Sequence, residues 1–275
     1  MDKSMITQAA ILLLWTAGGC LASQPDCAKP CQIPEITCSK DKDNVKPCPA
    51  DEILKQLNKK TLDLKAYTAQ VEYKFIQPLF ESEALRKGLL YYQKLDKRSN
   101  LRINFQTLKQ DDEKEQKYAE HYIFDGVWLV QLNFQTKVPR KYQVSEPNKP
   151  VNAFAAAGKN LPIIGFTRIE DLKKQFDVKL IEQKNGKPEN FIQLHLKVKP
   201  NSTYKDDYIS IDFWIDKKLY LPAKIRAVST EEDIYEIKLL KPKVNKKINK
   251  KTFDFKIPKD FSELEIVPLK KQGKK

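Results

Sequence analysis

The sequence predicts a mainly β protein with few helices, built on an antiparallel sheet that has one solvated face. Many segments alternate apolar and polar residues with a period of two. Charged, Pro-rich or Asn-rich turns separate these segments, and no βαβ spacing occurs. Such a sheet must cover its apolar face. Two packed sheets would do so, and so would one long sheet that curls around a core or cavity.

Residues 1–19 are predicted to be a signal peptide. The apolar run from Ala9 to Ala17 is shorter than the roughly 20 residues that a bilayer span requires. The small residues up to Gly19, followed by Cys20, resemble the bacterial lipobox, although Ala17 stands where Leu is usual. The resemblance implies acylation of Cys20, and Leu21 in place of Asp favours the outer membrane. Ordinary cleavage near Ala22 is the alternative.

The cysteines predict a stapled segment. Removal of Cys20 leaves four cysteines within 22 residues, interleaved with prolines, and this pattern in an exported chain indicates two disulfides in one of three pairings. A four-Cys zinc site is the alternative, but the paired C-x2-C spacing typical of such sites is missing. Residues 20–48 are therefore predicted to be a lipid-anchored Cys/Pro-rich stalk, with these disulfide candidates: Cys27, Cys31, Cys38 and Cys48.

A β domain is predicted over residues 49–268. Pro49, Asp51 and Glu52 mark a helix start, and leucines follow at helical spacing up to Leu62. Strand patterns then begin at Tyr67, Leu101, Trp128, Ile192, Ile209, Ala223, Tyr235 and Phe253, with the turn Asp125-Gly126 before Trp128.

Three further segments complete the domain. A short helix is predicted near Asp171–Phe176. The apolar segment Val151–Phe166 is either a buried crossover or a mobile lid. Residues 269–275 form a basic tail that we expect to fray.

No motif for catalysis, phosphate binding or dinucleotide binding occurs, so no enzyme activity, cofactor or metal is predicted. His195 falls on the polar side of its strand, and acidic residues cluster at predicted turns. The net charge is +14, but predicted export argues against a nucleic-acid partner. The lysines either protect strand edges from aggregation or face anionic lipid headgroups.

The order of motifs resembles the LolA-like family of periplasmic carriers of outer-membrane lipoproteins, over roughly residues 50–266. The helix and first strand are followed by Gly88-Leu89-Leu90, a basic turn at Lys97-Arg98-Ser99, and Asp125-Gly126-Val127-Trp128. Phe253-Asp254-Phe255-Lys256-Ile257-Pro258 matches the family's closing pattern. The family's Pro after the turn arginine is Ser99 here.

The resemblance implies an unclosed β-barrel, or half-barrel, covered by helices, whose apolar concave face receives the acyl chains of lipoproteins or lipids. It implies that Arg98 tethers a lid, with Arg102 as second candidate. Because a lipid-anchored protein cannot shuttle, acylation of Cys20 favours a LolB-like acceptor, expected to be monomeric. An envelope sensor or interaction scaffold that binds protein is the alternative. The predicted cavity residues are Tyr67, Val71, Phe75, Leu101, Phe105, Trp128, Val130 and Leu132.

Overall fold

The structure is a computed structural model that describes residues 49–96, 98–151, 153, 169–181 and 190–269. Two helices are described, α1 (Pro49–Leu62) and α2 (Ile169–Gln175). The strands are β1 (Ala66–Gln77), β2 (Ser82–Lys94), β3 (Ser99–Gln110), β4 (Gln116–Phe124), β5 (Trp128–Asn133), β6 (Val138–Gln143), β7 (Phe176–Ile181), β8 (Phe191–Val198), β9 (Tyr208–Asp216), β10 (Pro222–Ser229), β11 (Ile234–Val244) and β12 (Glu265–Val267).

All twelve strands form a single sheet in the order β12-β6-β5-β4-β3-β2-β1-β11-β10-β9-β8-β7. Neighbouring strands are antiparallel, except that β12 runs parallel to β6. The order is linear, so the described sheet is unclosed. The predicted mainly β half-barrel is therefore confirmed, and the alternative of two packed sheets is wrong.

One apolar core lies on the inner face of the sheet. Residues of β1 to β4 and of β8 to β11 belong to a single buried cluster, which shows that the sheet curls around it. Helix α1 covers part of this face with Ala50, Leu54 and Leu57, all at most 1% exposed. Its first turn carries Asp51 and its last turn Lys59 and Lys60, charges that suit the helix dipole.

Two glycines are required by the backbone. A β-carbon on Gly88 would lie 2.0 Å from the carbonyl oxygen of Asn104, because β2 approaches β3 closely at a register shift beside Lys87. Gly126 has φ of +101° in the turn before β5, and the carboxylate of Asp125 accepts hydrogen bonds there from the backbone N–H groups of Val127 and Trp128. The predicted Asp-Gly turn is confirmed.

Residues 245–264, here called the C-terminal strap, cross the outer face of the sheet from β11 towards β6. Arg102 Nη1 of β3 donates to the carbonyl oxygens of Thr252 and Asp254, each at 2.8 Å. Further along, Ile257 and Phe261 pack against a second apolar cluster on β4 and β5. The strap thereby covers the outside of the sheet.

The strand predicted to begin at Phe253 is wrong. Residues Lys250–Phe253 form a 3₁₀ turn, and the residues that follow are irregular. The alternation of Phe253, Phe255 and Ile257 does not lead to strand pairing because the carbonyl groups at this point are bound by the side chain of Arg102. The short helix predicted near residue 171 is present as α2.

Several predicted features lie outside the described residues. These are the signal peptide, Cys20 and the Cys/Pro-rich stalk with its four other cysteines, most of the Val151–Phe166 segment, and the tail from residue 270. Neither described helix has the length and apolar character to cross a bilayer.

Candidate ligand-binding site

The sheet opens between β10 and β11 near the beginning of β1. Over these fully described strands, β10 pairs with β11 only between Lys224 and Val228. The remainder of β11 continues along β1, where Leu239 lies opposite Val71. Two prolines explain the separation, since Pro222 begins β10 and Pro242 lies near the end of β11, and neither can donate a ladder hydrogen bond.

A bulge in β11 widens the opening. The register with β1 shifts between Thr68 and Gln70, opposite Lys241 and Pro242. Lys241 adopts φ of +50°, a left-handed conformation that bends the strand. The irregularity redirects the end of β11 away from β10 and leaves space between the two strands.

This space, here called the β10–β11 cleft, has a volume of about 410 Å³, within the range of roughly 300–1,000 Å³ typical of ligand sites. Tyr67, Leu221 and Leu239 line it from the inner face, where they belong to the core cluster. The full lining is Tyr67, Phe191, Trp214, Asp216, Leu219, Leu221, Pro222, Ala223, Lys224, Lys238, Leu239, Leu240, Lys241 and Pro242. Its wall is thus mostly apolar and includes residues of both faces of the sheet.

The charged groups of the cleft are predominantly basic. Lys224 Nζ lies 4.6 Å from the centre of the Trp214 ring and 3.3 Å from Glu236. Lys238 Nζ lies 3.8 Å from Glu72. The carboxylate of Asp216 is engaged locally, because it accepts from the backbone N–H groups of Lys218 and Leu219, each at 2.8 Å. The cleft can therefore hold an apolar chain. Lys241 forms no ion pair with a described residue, so it is the lining lysine that favours a negative group at the rim.

A second recess occurs where β3 and β4 lose register between Phe105 and Thr107. Its volume is about 480 Å³, and Phe105, Tyr118, Ala119 and His121 are among its lining residues. Burial, and then the charge of Arg102, lower the pKa of His121 below its usual value. The imidazole is therefore mainly neutral at neutral pH.

A buried polar cluster lies on the inner face beside this recess. Glu120, 3% exposed, accepts hydrogen bonds from the hydroxyls of Tyr118 (3.0 Å) and Tyr122 (2.9 Å) and from Gln131 Nε2 (2.8 Å). Arg86 Nε lies 4.0 Å from Glu120 Oε2, and the guanidinium lies over the Tyr118 ring.

The charges of this cluster set its protonation. Burial, and then the charge of Glu120, raise the pKa of Tyr118 to about 12, so its hydroxyl remains a donor at neutral pH. Burial would lower the pKa of Arg86, but the charge of Glu120 and the neighbouring tyrosines Tyr118, Tyr122 and Tyr73 raise it above its usual value. Arg86 therefore stays charged inside the fold.

Five of the eight predicted cavity residues lie on the inner face. Tyr67 lines the cleft and Phe105 lines the second recess. Val71 and Leu101 are buried in the core, at 3% and 5% exposure. Phe75 is half-buried and stacks on Tyr235, with 5.0 Å between ring centres.

The placement of Trp128, Val130 and Leu132 on the concave face is wrong. Phe124 of the inner face lies opposite Leu129, so Val130 and Leu132 point outward into the cluster under the strap. Trp128 shares their side and contacts Lys141. The error arises because the polar side of β5 faces inward, where Gln131 donates to Glu120, whereas the strap covers the apolar side at Val130 and Leu132.

Arg98 lies at the entrance to the Val151–Phe166 segment. Arg98 and Pro150 both lie against Gly126, since a β-carbon added to that glycine would be 2.9 Å from Arg98 Cβ and 3.3 Å from Pro150 Cβ. At the same place the buried hydroxyl of Ser99 accepts a hydrogen bond from the backbone N–H of Ala153 at 2.7 Å. The role of Arg98 as a tether remains a prediction, because most of that segment lies outside the described residues.

Most of the cleft residues, including Trp214, Leu219 and Leu221, were not predicted from the sequence. The available signal was the pair Pro222 and Pro242, which marks two strands that part.

His195 lies in β8, and its Nδ1 lies 2.9 Å from the carboxylate of Asp212. Within the described ranges, no three His, Cys, Asp or Glu side chains converge as metal ligands.

The fold and cleft define an open antiparallel half-barrel with an apolar cleft through its wall. No protein-family profile and no curated protein matches the chain in sequence. Solved structures with a similar fold include an uncharacterized conserved protein from Thermus thermophilus, at 15% identity, TM-score 0.45, and 80% and 99% coverage of this chain and that chain.

Two further solved structures are similar to the chain in fold. A LolA superfamily protein from Nitrosomonas europaea has 12% identity, TM-score 0.33, and coverage of 75% and 97%. MucB of Pseudomonas aeruginosa, solved with MucA, has 10% identity, TM-score 0.43, and coverage of 75% and 61%. None of these neighbours indicates the function of this chain, since such identities and TM-scores are compatible with different activities.

Proposed function

We propose that the chain binds acyl chains of lipoproteins or lipids during trafficking in the cell envelope, and that the β10–β11 cleft admits the acyl chain. The observation that carries this proposal is the cleft itself, with its mostly apolar wall and a volume of about 410 Å³. No catalytic step is part of the proposal.

The energetics of acyl burial support this function. Transfer of a methylene group from water to an apolar site contributes about 0.8 kcal/mol, so a long acyl chain offers a gross gain on the order of 10 kcal/mol. Tyr67, Leu221 and Leu239 connect the cleft to the inner-face core. A chain that enters between the strands would therefore meet apolar side chains along its path.

The predicted location is consistent with this function. The signal peptide and the predicted acylated Cys20 would place the mature protein on the periplasmic side of the envelope, anchored in the outer membrane. An anchored protein with a lipid-binding cleft would act as an acceptor of cargo. We propose a monomer, because binding at the cleft needs residues of one chain alone.

The test uses the full chain with Cys20→Ser, purified from the periplasm without detergent, and native mass spectrometry for bound lipid. Titration with a fluorescent fatty acid then compares two variants. Ala223→Trp fills the cleft and should weaken binding at least about tenfold. Ala119→Trp fills the second recess and serves as the matched control, since both alanines are half-buried.

Three outcomes would overturn the proposal. A lipid-free protein that takes up no fatty acid would remove the function. Equal binding by both variants would remove the cleft as the site. Loss of binding in Ala119→Trp alone would move the site to the second recess.

A protein-binding scaffold is the second candidate. The turn between β1 and β2 exposes two large apolar side chains, Leu79 at 84% and Phe80 at 68%. Exposed apolar groups at a protruding turn are typical of an interaction site. Lipid-free protein, together with a protein partner that is lost in Leu79→Ser/Phe80→Ser, would favour this function.

A further inference from the structure

One stretch of the surface is strongly basic. From Ile237 to Phe253 the chain contains no Asp or Glu. Seven of its lysines are exposed, and Lys238, the first of them, pairs with Glu72. The other six form what is here called the lysine ribbon: Lys241, Lys243, Lys246, Lys247, Lys250 and Lys251. They occupy the end of β11 and the beginning of the C-terminal strap.

The ribbon lysines form no ion pair with any residue in the described part of the chain. Other surface lysines do, as in the pairs Lys87–Glu115 at 2.8 Å and Lys74–Glu83 at 2.6 Å. The charge of the ribbon is therefore not neutralised within the described fold. It is available to an external anion.

The backbone beneath the ribbon is held in place. Asn245 Oδ1 accepts hydrogen bonds from the backbone N–H groups of Lys65 (2.7 Å) and Ala66 (3.1 Å) at the beginning of β1. Ile248 is 8% exposed, and Asn249 Oδ1 accepts from the N–H of Lys251 at 3.0 Å. These contacts fix the path of the ribbon, so that its lysines form a preorganised basic surface.

The opposite end of the sheet is acidic. The turn after β1 carries Glu81, the turn after β3 carries Asp111 and Asp112, and the turn after β10 carries Glu231 and Glu232. Charge is therefore separated along the strand direction. Such a distribution orients the basic end towards a negatively charged surface.

The ribbon also adjoins the β10–β11 cleft. Lys241 belongs to the ribbon and lines the cleft together with Leu240 and Pro242. Leu240 is 38% exposed. A surface that binds the ribbon would thus lie next to the rim of an apolar opening.

We propose that the lysine ribbon docks the protein on a bilayer that carries anionic phospholipid headgroups. A row of exposed lysines beside an apolar rim matches the chemistry of such a surface, on which each lysine contributes about fivefold to binding. A single-stranded nucleic acid would need aromatic side chains for stacking. The ribbon has none, since residues 241–251 contain no Phe, Tyr or Trp.

The test uses the full chain with Cys20→Ser, so that the predicted lipid anchor is absent from every sample. Binding is measured by co-sedimentation with phosphatidylcholine vesicles, with and without phosphatidylglycerol, over a series of salt concentrations. The ribbon variant is Lys246→Gln, Lys247→Gln, Lys250→Gln and Lys251→Gln. The matched control changes four exposed lysines elsewhere, Lys114, Lys117, Lys205 and Lys259, to Gln.

We expect phosphatidylglycerol to increase binding of the parent protein, and salt to reverse that increase. The ribbon variant should lose at least about a hundredfold of the increase, and the control no more than about threefold. An increase that persists in the ribbon variant, or that is lost equally in the control, overturns the proposal. So does a preference for double-stranded DNA over anionic vesicles. Fatty-acid binding at the cleft is measured separately. A loss of vesicle binding, which tests the ribbon, can therefore be told apart from a loss of fatty-acid binding, which tests the cleft.

Discussion

The two halves of the inner face are stabilised in different ways. On β8 to β10 the inward residues are apolar and fully buried, with Leu194, Ile211, Phe213 and Ile225 at 0% exposure. On β2 to β5 the same face contains the Glu120 cluster, in which each oxygen of one carboxylate has defined donors. The first half depends on non-directional burial, whereas the second needs particular partners at particular distances.

The largest effect is expected in the apolar half. Phe213→Ala should lower the free energy of unfolding by about 3–5 kcal/mol, because it removes a fully buried ring and leaves a cavity. Urea denaturation measures this loss. Ile209→Ala on the same strand is the control, since Ile209 is 48% exposed, and it should cost less than about 1 kcal/mol. Similar losses for both would contradict the description of this half.

In the polar half, the free energy of unfolding should fall when the charge of Glu120 is removed with little change in side-chain shape. Glu120→Gln should cost about 2–4 kcal/mol, because it leaves the buried Arg86 without its counter-charge and places an amide donor among hydroxyl donors. The double variant Glu120→Leu/Arg86→Met should recover more than half of the loss in urea denaturation. Additive losses would show that the two charges are not coupled.

The C-terminal strap should contribute less to the free energy of unfolding than either half of the core. Phe261→Ala removes a half-buried ring that lies 5.2 Å from the Phe134 ring, centre to centre, and should cost about 1–2 kcal/mol. Hydrogen exchange should become faster in β4 and β5, which the strap covers. Faster exchange in β8 and β9 instead would show that the strap supports the apolar half.

The smallest expected effect is on the pH dependence of folding stability. The pKa of His121 is lowered in the folded state by burial and by Arg102, so the unfolded chain binds the proton more readily. This contribution to stability is present above the ordinary value of about 6.5 and is lost as the pH falls below it. His121→Asn should flatten that part of the stability curve, measured as thermal unfolding against pH. An unchanged dependence of thermal unfolding on pH would show that His121 does not cause this loss of stability.

The sequence predicted those features that depend on neighbouring residues. The acids after Pro49 and the helical leucines predicted α1, the Asp125-Gly126 pair predicted a turn, and period-two alternation predicted most strands. Local alternation identified the apolar side of β5 at Val130 and Leu132, but it could not show that the strap, and not the core, covers that side. It also could not show that Arg102 binds the carbonyls of Thr252 and Asp254 and prevents a strand there.

The sequence by itself determined the class of this protein, a mainly β half-barrel, since hydrophobic periodicity is a local property that each strand expresses alone. Only the tertiary structure decided which faces are covered, where β10 parts from β11, and that unpaired lysines gather beside that opening. These features depend on residues far apart in the chain, such as Tyr67, Trp214 and Lys241, whose proximity exists only once the sheet has curled.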